Sequence, residues 1–334
     1  MNARASGRRS AGAMLALAVV LLACSETRNL GTSVPHGLLP VDERNPILLA
    51  NDGVTDNWQG EYAILLANGG GPKLAGIIVN TSGPWPDLDT NIAGWRGLVA
   101  AATASGLRNI PDPISSTGPP LVRPASGQIQ DTALTRSEGA KAILDASASL
   151  SLPYRPLVVV TGGRLTDVAD AYLMDPTVTE RVVVVSSMGS TTDTGGAMGP
   201  PNGEMDPWAD AIVTACFRFV QVSAFYDQTT DVPTSRLAQL PANAFGDWIA
   251  AKQPSIFDLN QAADQVGVAA VGISSFVTSV QKVSAAGLVG AGATAGPDLV
   301  ADAAGPLLLV TQSDGAEATA RFWRLLTDPN TYRP

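Results

Sequence analysis

Residues able to do chemistry gather at three places in this chain, each directly after a short apolar run. Ile47–Ala50 leads into Asn51-Asp52-Gly53-Val54-Thr55-Asp56-Asn57, with Glu61 close behind. The run LVVVT at 157–161 leads into Gly162-Gly163-Arg164-Leu165-Thr166-Asp167, and VVVVSS at 182–187 leads into Met188-Gly189-Ser190. Acids and glycines at such places either make turns and helix caps, their ordinary use, or line a site. Other chemistries are excluded. The single histidine, His36, lies outside all three clusters and no G-x-S-x-G elbow occurs, so there is no Ser-His-Asp triad. No Cys/His set suits zinc. Gly69-Gly70-Gly71-Pro72-Lys73 has too little around it for a phosphate loop and reads as a helix end.

The elements that must position these clusters alternate. Strands are expected at Ile47–Ala50, Leu74–Asn80, Leu157–Thr161, Val182–Ser186 and Leu307–Val310. Helices are expected over Gly60–Ala67, Ile92–Ser105, Asp167–Leu173, about Pro207–Val220 and Gly315–Leu326, with a further apolar segment near Val266–Val271. Short β-branched runs separated by helices imply an α/β domain with a mainly parallel central sheet and helices on both faces. Ligands bind such sheets beyond the carboxyl ends of the strands, where the three clusters fall. Trp58, Trp85, Trp95 and Trp208 fall near these loops, where packing beneath a loop competes with stacking on a ligand.

At 334 residues, 45% hydrophobic and 15% charged, the chain is long enough to bury a full core. Arg4, Arg8 and Arg9 precede an apolar run from Ala13 to Ala23 and then Cys24, the layout of an export signal. Leu21-Leu22-Ala23-Cys24 resembles a bacterial lipobox, in which the cysteine is lipidated; an ordinary signal cut nearby is the alternative. The expected organisation is a signal over 1–23, a tether over 24–45 and one domain over 46–334. The protein is thus expected to be exported to the bacterial cell envelope and held at the membrane only through lipid on Cys24. Cleavage removes the three arginines, taking 21 basic against 30 acidic residues to 18 against 30, a net charge of −12. That balance does not suit nucleic acid or anionic lipid surfaces. Cys216, in the apolar run AIVTACFRFV, reads as a core residue.

Together the clusters resemble the inosine-uridine type nucleoside hydrolases. The carriers are Ala50-Asn51-Asp52-Gly53-Val54-Thr55-Asp56-Asn57 before the helix Ala63-Ile64-Leu65-Leu66-Ala67, LAGIIVNTSGPW, and TGGRLTDVADAYLMDPTVTERVVVVSSMGS over 161–190. Asn202-Gly203-Glu204-Met205-Asp206-Pro207-Trp208-Ala209 and the closing LLLVTQSDGAEATARFWRLL add to them, so the likeness runs from about 46 to 330. The central block is the specific one.

The resemblance implies hydrolysis of the N-glycosidic bond of a nucleoside or related ribosyl compound, by water activated on one Ca²⁺ with an aspartate base. Carried over, Asp52 falls on the metal-binding base, Asp56 on a ribose contact, Thr161 on a backbone carbonyl ligand of the ion and Asn202 on a contact to ribose hydroxyls. Asp264 falls on the late metal aspartate, with Asp258 competing. The pattern also departs from the family. Ala50 stands for the first aspartate and Asn57 for the second of a pair, so Asn57 would give the ion one neutral oxygen. Glu61 is a candidate for the lost carboxylate. Ala263 precedes Asp264 where the family has histidine. A rival reading therefore keeps the fold as a nucleoside- or sugar-binding envelope lipoprotein without turnover, and a third keeps only the scaffold for a protein partner. A homo-oligomer is expected from the family alone.

Overall fold

The computed structural model describes residues 35–53, 57–83, 85–187, 202–222, 234–252 and 264–333. The signal segment with Cys24, and Asp56 and Asp258, lie outside the described residues, as does the side chain of Asn57.

One sheet of nine strands organises the chain: β1 (Ile47–Asn51), β2 (Leu74–Val79), β3 (Pro113–Ser115), β4 (Leu157–Thr161), β5 (Val182–Ser187), β6 (Arg218–Val222), β7 (Val277–Ala285), β8 (Leu299–Ala301) and β9 (Leu307–Ser313). Their order is β3-β2-β1-β4-β5-β6-β9-β7-β8. Seven strands are parallel, and β7 runs antiparallel to both β9 and β8. Both faces are covered, which is why β1, β4 and β5 read as unbroken apolar runs with every residue buried.

The helices are α1 (Asn57–Asn68), α2 (Leu88–Ala104), α3 (Glu138–Leu150), α4 (Thr166–Met174), α5 (Pro207–Cys216), α6 (Ala244–Lys252), α7 (Gln265–Gly272) and α8 (Gly315–Thr327). Alternation along the strands splits the core in two. Leu49, Val160 and Val185 share one apolar cluster with residues of α1, α2, α6, α7 and α8. Leu48, Val159 and Val184 share the other with α3, α4 and α5.

The expected helix over Pro207–Val220 is shorter than its apolar pattern suggested. Phe217 turns extended and ends α5 at Cys216, and Arg218–Val222 becomes β6 between β5 and β9. A continuous apolar run supports either element by periodicity, and sheet burial decided it. Part of the expected tether also belongs to the folded body: Leu39 and Val41 are buried in the first cluster, and Asn45 donates to the Pro156 carbonyl at 2.8 Å. Cys216 is buried in the second cluster. Trp58, Trp95 and Trp208 are buried, and Trp208 donates its ring N–H to Thr132 Oγ1 at 2.9 Å. Among the described residues no helix is long and apolar enough to cross a membrane.

From β1 the chain moves outward through β2 to β3, whereas β4 begins the opposite side of the sheet. The order therefore reverses between β1 and β4. A crevice must open at their carboxyl ends, because the connections leave in opposite directions.

Candidate functional site

At the reversal, β1 delivers Asn51 and Asp52 while β4 delivers Thr161, Gly162 and Gly163. Ala50 pairs with Thr161, and Thr161 with Ser186 of β5, so these residues sit level across the sheet. The two-residue period turns Asn51 toward the α1 and α7 layer, opposite to Ala50, which lies in the second apolar cluster.

Asn51 is the hub on that side. Its Nδ2 donates to Gln59 Oε1 of α1 and to Asp264 Oδ2, both at 3.2 Å. Its Oδ1 accepts the Asp52 N–H at 2.6 Å, and Asp52 Oδ1 accepts the Gly53 N–H at 2.7 Å. Asp264 occupies the N-cap position of α7, yet its side chain caps nothing and turns to Asn51. Its carbonyl accepts from Ser187 Oγ at 3.0 Å and from Gln59 Nε2 at 3.4 Å. Asn202 steadies the same corner by donating to the Ser187 carbonyl at 2.8 Å.

The glycines explain how closely these groups meet. A Cβ on Gly162 would lie 2.4 Å from Asn51 Nδ2 and 2.6 Å from the Asp264 carboxyl carbon; one on Gly163 would lie 3.2 Å from both the Asp52 carboxyl carbon and Asn80 Oδ1. Consecutive glycines thus face the two carboxylates, with no side chain between. Electrostatics agree. Asp264 has its pKa raised well above the usual carboxylate range, first by burial and then by the charge of Asp52, with the Asn51 hydrogen bond opposing. Asp264 Oδ1, Asn80 Oδ1 and Thr161 Oγ1 are buried without a hydrogen-bond partner.

No protein-family model matches the sequence, and neither does any curated protein. Solved structures do. A plant nucleoside hydrolase superposes with a TM-score of 0.59 at 16% identity, covering 86% of this chain and 100% of that one. An inosine-guanosine nucleoside hydrolase gives 0.61 at 15% identity, covering 84% and 98%. The type III effector protein XopQ, solved in complex with adenosine diphosphate ribose, gives 0.53 at 15% identity, covering 93% and 98%. The chain has the nucleoside hydrolase fold. At these identities the likeness concerns the fold, and chemistry has to be argued from the residues.

On this fold the donor set fits a hard cation. The two carboxylates, the Asn80 amide oxygen left without a partner and the Thr161 carbonyl are all oxygen ligands, with no sulfur or imidazole. Buried acids of like charge held close also call for a positive partner. Among the described residues, the His/Cys/Asp/Glu group of three within 4.8 Å is His36, Asp42 and Glu43, which lies elsewhere and whose Asp42 is already taken by Arg44. Glu61 does not join Asp52 and Asp264 in such a group. It is buried on α1 two residues after Gln59, and that spacing turns it about 200° away from the side chain that reaches the site.

The structure therefore brings together Asp52, Thr161 and Asp264, and places Asn202 against Ser187 beside them. Sequence reasoning passed over Asn51, Gln59, Asn80 and the glycine pair as functional residues. An amide at a buried strand end and another in the first turn of the next helix were the available signals.

Proposed function

We propose that this protein hydrolyses the N-glycosidic bond of a nucleoside or related ribosyl compound in this crevice. The carrying observation is the buried pair Asp52 and Asp264, joined through Asn51 and faced by Gly162 and Gly163, at the order reversal of a nucleoside hydrolase fold. Asp52 is the general base, accepting the proton of the attacking water. Its negative charge also favours an oxocarbenium-like sugar in the transition state. Asp56 and Asn202 hold the sugar. Asp52, Asp264, the Thr161 carbonyl and Asn57 would hold one Ca²⁺, which when bound supplies a polarised water of lowered pKa. Asn51 fixes the Asp264 carboxylate, and its own oxygen fixes the backbone entering Asp52. The sole histidine, His36, hydrogen-bonds Glu43 at 3.2 Å, so protonation of the departing base falls to water, to the substrate itself or to a residue other than histidine.

The second reading, binding without turnover, draws on the same geometry, because only two carboxylates meet among the described site residues. One assay separates the two. Purified protein is incubated with a nucleoside panel and Ca²⁺, free base and ribose are measured, and binding is followed in parallel. Release that falls about 10²–10⁴-fold in Asp52→Ala supports the hydrolase. Binding with no release selects the second reading, and neither binding nor release sinks both.

A further inference from the structure

Arg164 follows the glycine pair at the carboxyl end of β4 and is only 5% exposed. Its Nη2 donates to Thr81 Oγ1 at 3.0 Å and to the Gly118 carbonyl at 3.1 Å. Thr81 follows β2 and Gly118 follows β3. Since the strands run β3-β2-β1-β4, the side chain reaches across the end of β1, where Asp52 stands. Only Nη2 is used: Nε is buried without a hydrogen-bond partner, and Nη1 makes no hydrogen bond.

No carboxylate of the described residues lies within ion-pair distance of this guanidinium, although Asp167, Asp206 and Asp52 act on it through space. Two of these acids are occupied otherwise. Asp167 accepts from Ser116 and Ser137 hydroxyls at 2.6 and 2.8 Å and from Asn80 Nδ2 at 3.1 Å. Asp206 accepts from Thr166 Oγ1 at 2.6 Å, from the Leu121 N–H at 2.8 Å and from the Ala209 N–H at 3.0 Å. A desolvated cation with open N–H groups is costly unless an anion completes it. Arg164 is anchored but not neutralised by contact.

We propose that Arg164 is an anion-binding residue of the crevice, and that the ribosyl substrate carries a phosphate held by the N–H groups that Thr81 and Gly118 leave open. This rests on the reading of the crevice as a ribosyl site and adds the substrate class. Phosphate is the group through which ribosyl compounds carry negative charge, and a guanidinium meets its oxygens with charge-assisted hydrogen bonds.

The test is equilibrium binding of ribose, ribose 5-phosphate and inorganic phosphate to the full chain in Ca²⁺; none of these has an N-glycosidic bond to cleave. The wild type is expected to prefer ribose 5-phosphate over ribose by about tenfold or more. That ratio falls toward one in Arg164→Gln and recovers in part in Arg164→Lys, which keeps the charge. Ribose bound as well as its phosphate by the wild type would overturn this proposal and leave the ribosyl reading standing, whereas no binding of either sugar overturns the ribosyl reading with it. A preference that survives in Arg164→Gln also overturns it. Should that variant not fold, the wild-type ratio and the Lys variant decide.

Discussion

Gly162→Ala is the sharpest perturbation the geometry offers. No positive φ accompanies this glycine, so alanine is tolerated by the backbone and the effect is steric. The added methyl would sit 2.4 Å from Asn51 Nδ2, 2.6 Å from the Asp264 carboxyl carbon and 2.8 Å from Asp264 Oδ2. Ordinary contact begins about 1 Å farther out, so both side chains must retreat by nearly that much. Neither has room, because both are buried and hydrogen-bonded. Overpacking of this kind costs about 1–3 kcal/mol. A catalytic group displaced by about 1 Å loses on the order of 10² in rate. The neighbouring Gly163→Ala meets Asn80 and Asp52 at 3.2 Å, a contact relieved by a few tenths of an ångström, and is expected to do much less of both. Thermal melts and ribose release, measured on both variants, check the pair. If Gly162→Ala lowers Tm yet keeps wild-type kcat/KM, the placement of Asp264 has no bearing on the reaction and the reasoning is wrong.

Asp264→Asn separates charge from packing. In chelator it is expected to raise Tm, since it removes a buried charge beside Asp52; in Ca²⁺ the wild type should gain stability by mass action and the variant should gain less. A wild-type melt that ignores Ca²⁺ would show that these oxygens do not hold the ion. Asp42 offers a pH test away from the site. Burial raises its pKa, but the Arg44 guanidinium and the backbone N–H groups of Arg44 and His36 outweigh that and hold it at about 2 against the ordinary 3.8. A depressed folded pKa means stability present above about pH 4 and lost as pH falls toward 2. Asp42→Asn should therefore cost about 1–2 kcal/mol at neutral pH, with the difference from wild type closing near pH 2 in urea titrations.

What could be read from the sequence depended on how each element is buried. LVVVT and VVVVSS announced interior strands because parallel strands under two helix layers are apolar throughout. Residues 265–272 showed only as an apolar segment, since QVGVAAVG lies buried against the sheet and carries no polar face to mark a helix. The ribbon β7–β8 was missed: Val277–Ala285 alternates irregularly, with Thr278, Gln281 and Lys282 exposed at the sheet's antiparallel end. The helix over Glu138–Leu150 was also missed, although Ser137 caps it in full view of the sequence. At the site, Asp52 stood out as an acid directly after a strand, and the roles expected of Asp52 and Asp264 came from family resemblance. The shared hydrogen bond through Asn51 was hidden, because an asparagine at a strand end reads as a turn. Glu61 follows Gln59 by two residues on α1, so helical rotation sets the two side chains about 200° apart.

The hydrogen bond from Asn51 to Asp264 closes a loop of 213 residues. Each partner belongs to a stretch that is ordinary by itself: a strand end in the first sixth of the chain and a helix start in its last quarter. The two acids are held together by the registered strands between them and not by any local contact. Their mutual repulsion belongs to the finished sheet and to neither stretch by itself. A cation able to bind both acids would therefore favour the completed fold over the unfolded chain, in which the two acids are far apart.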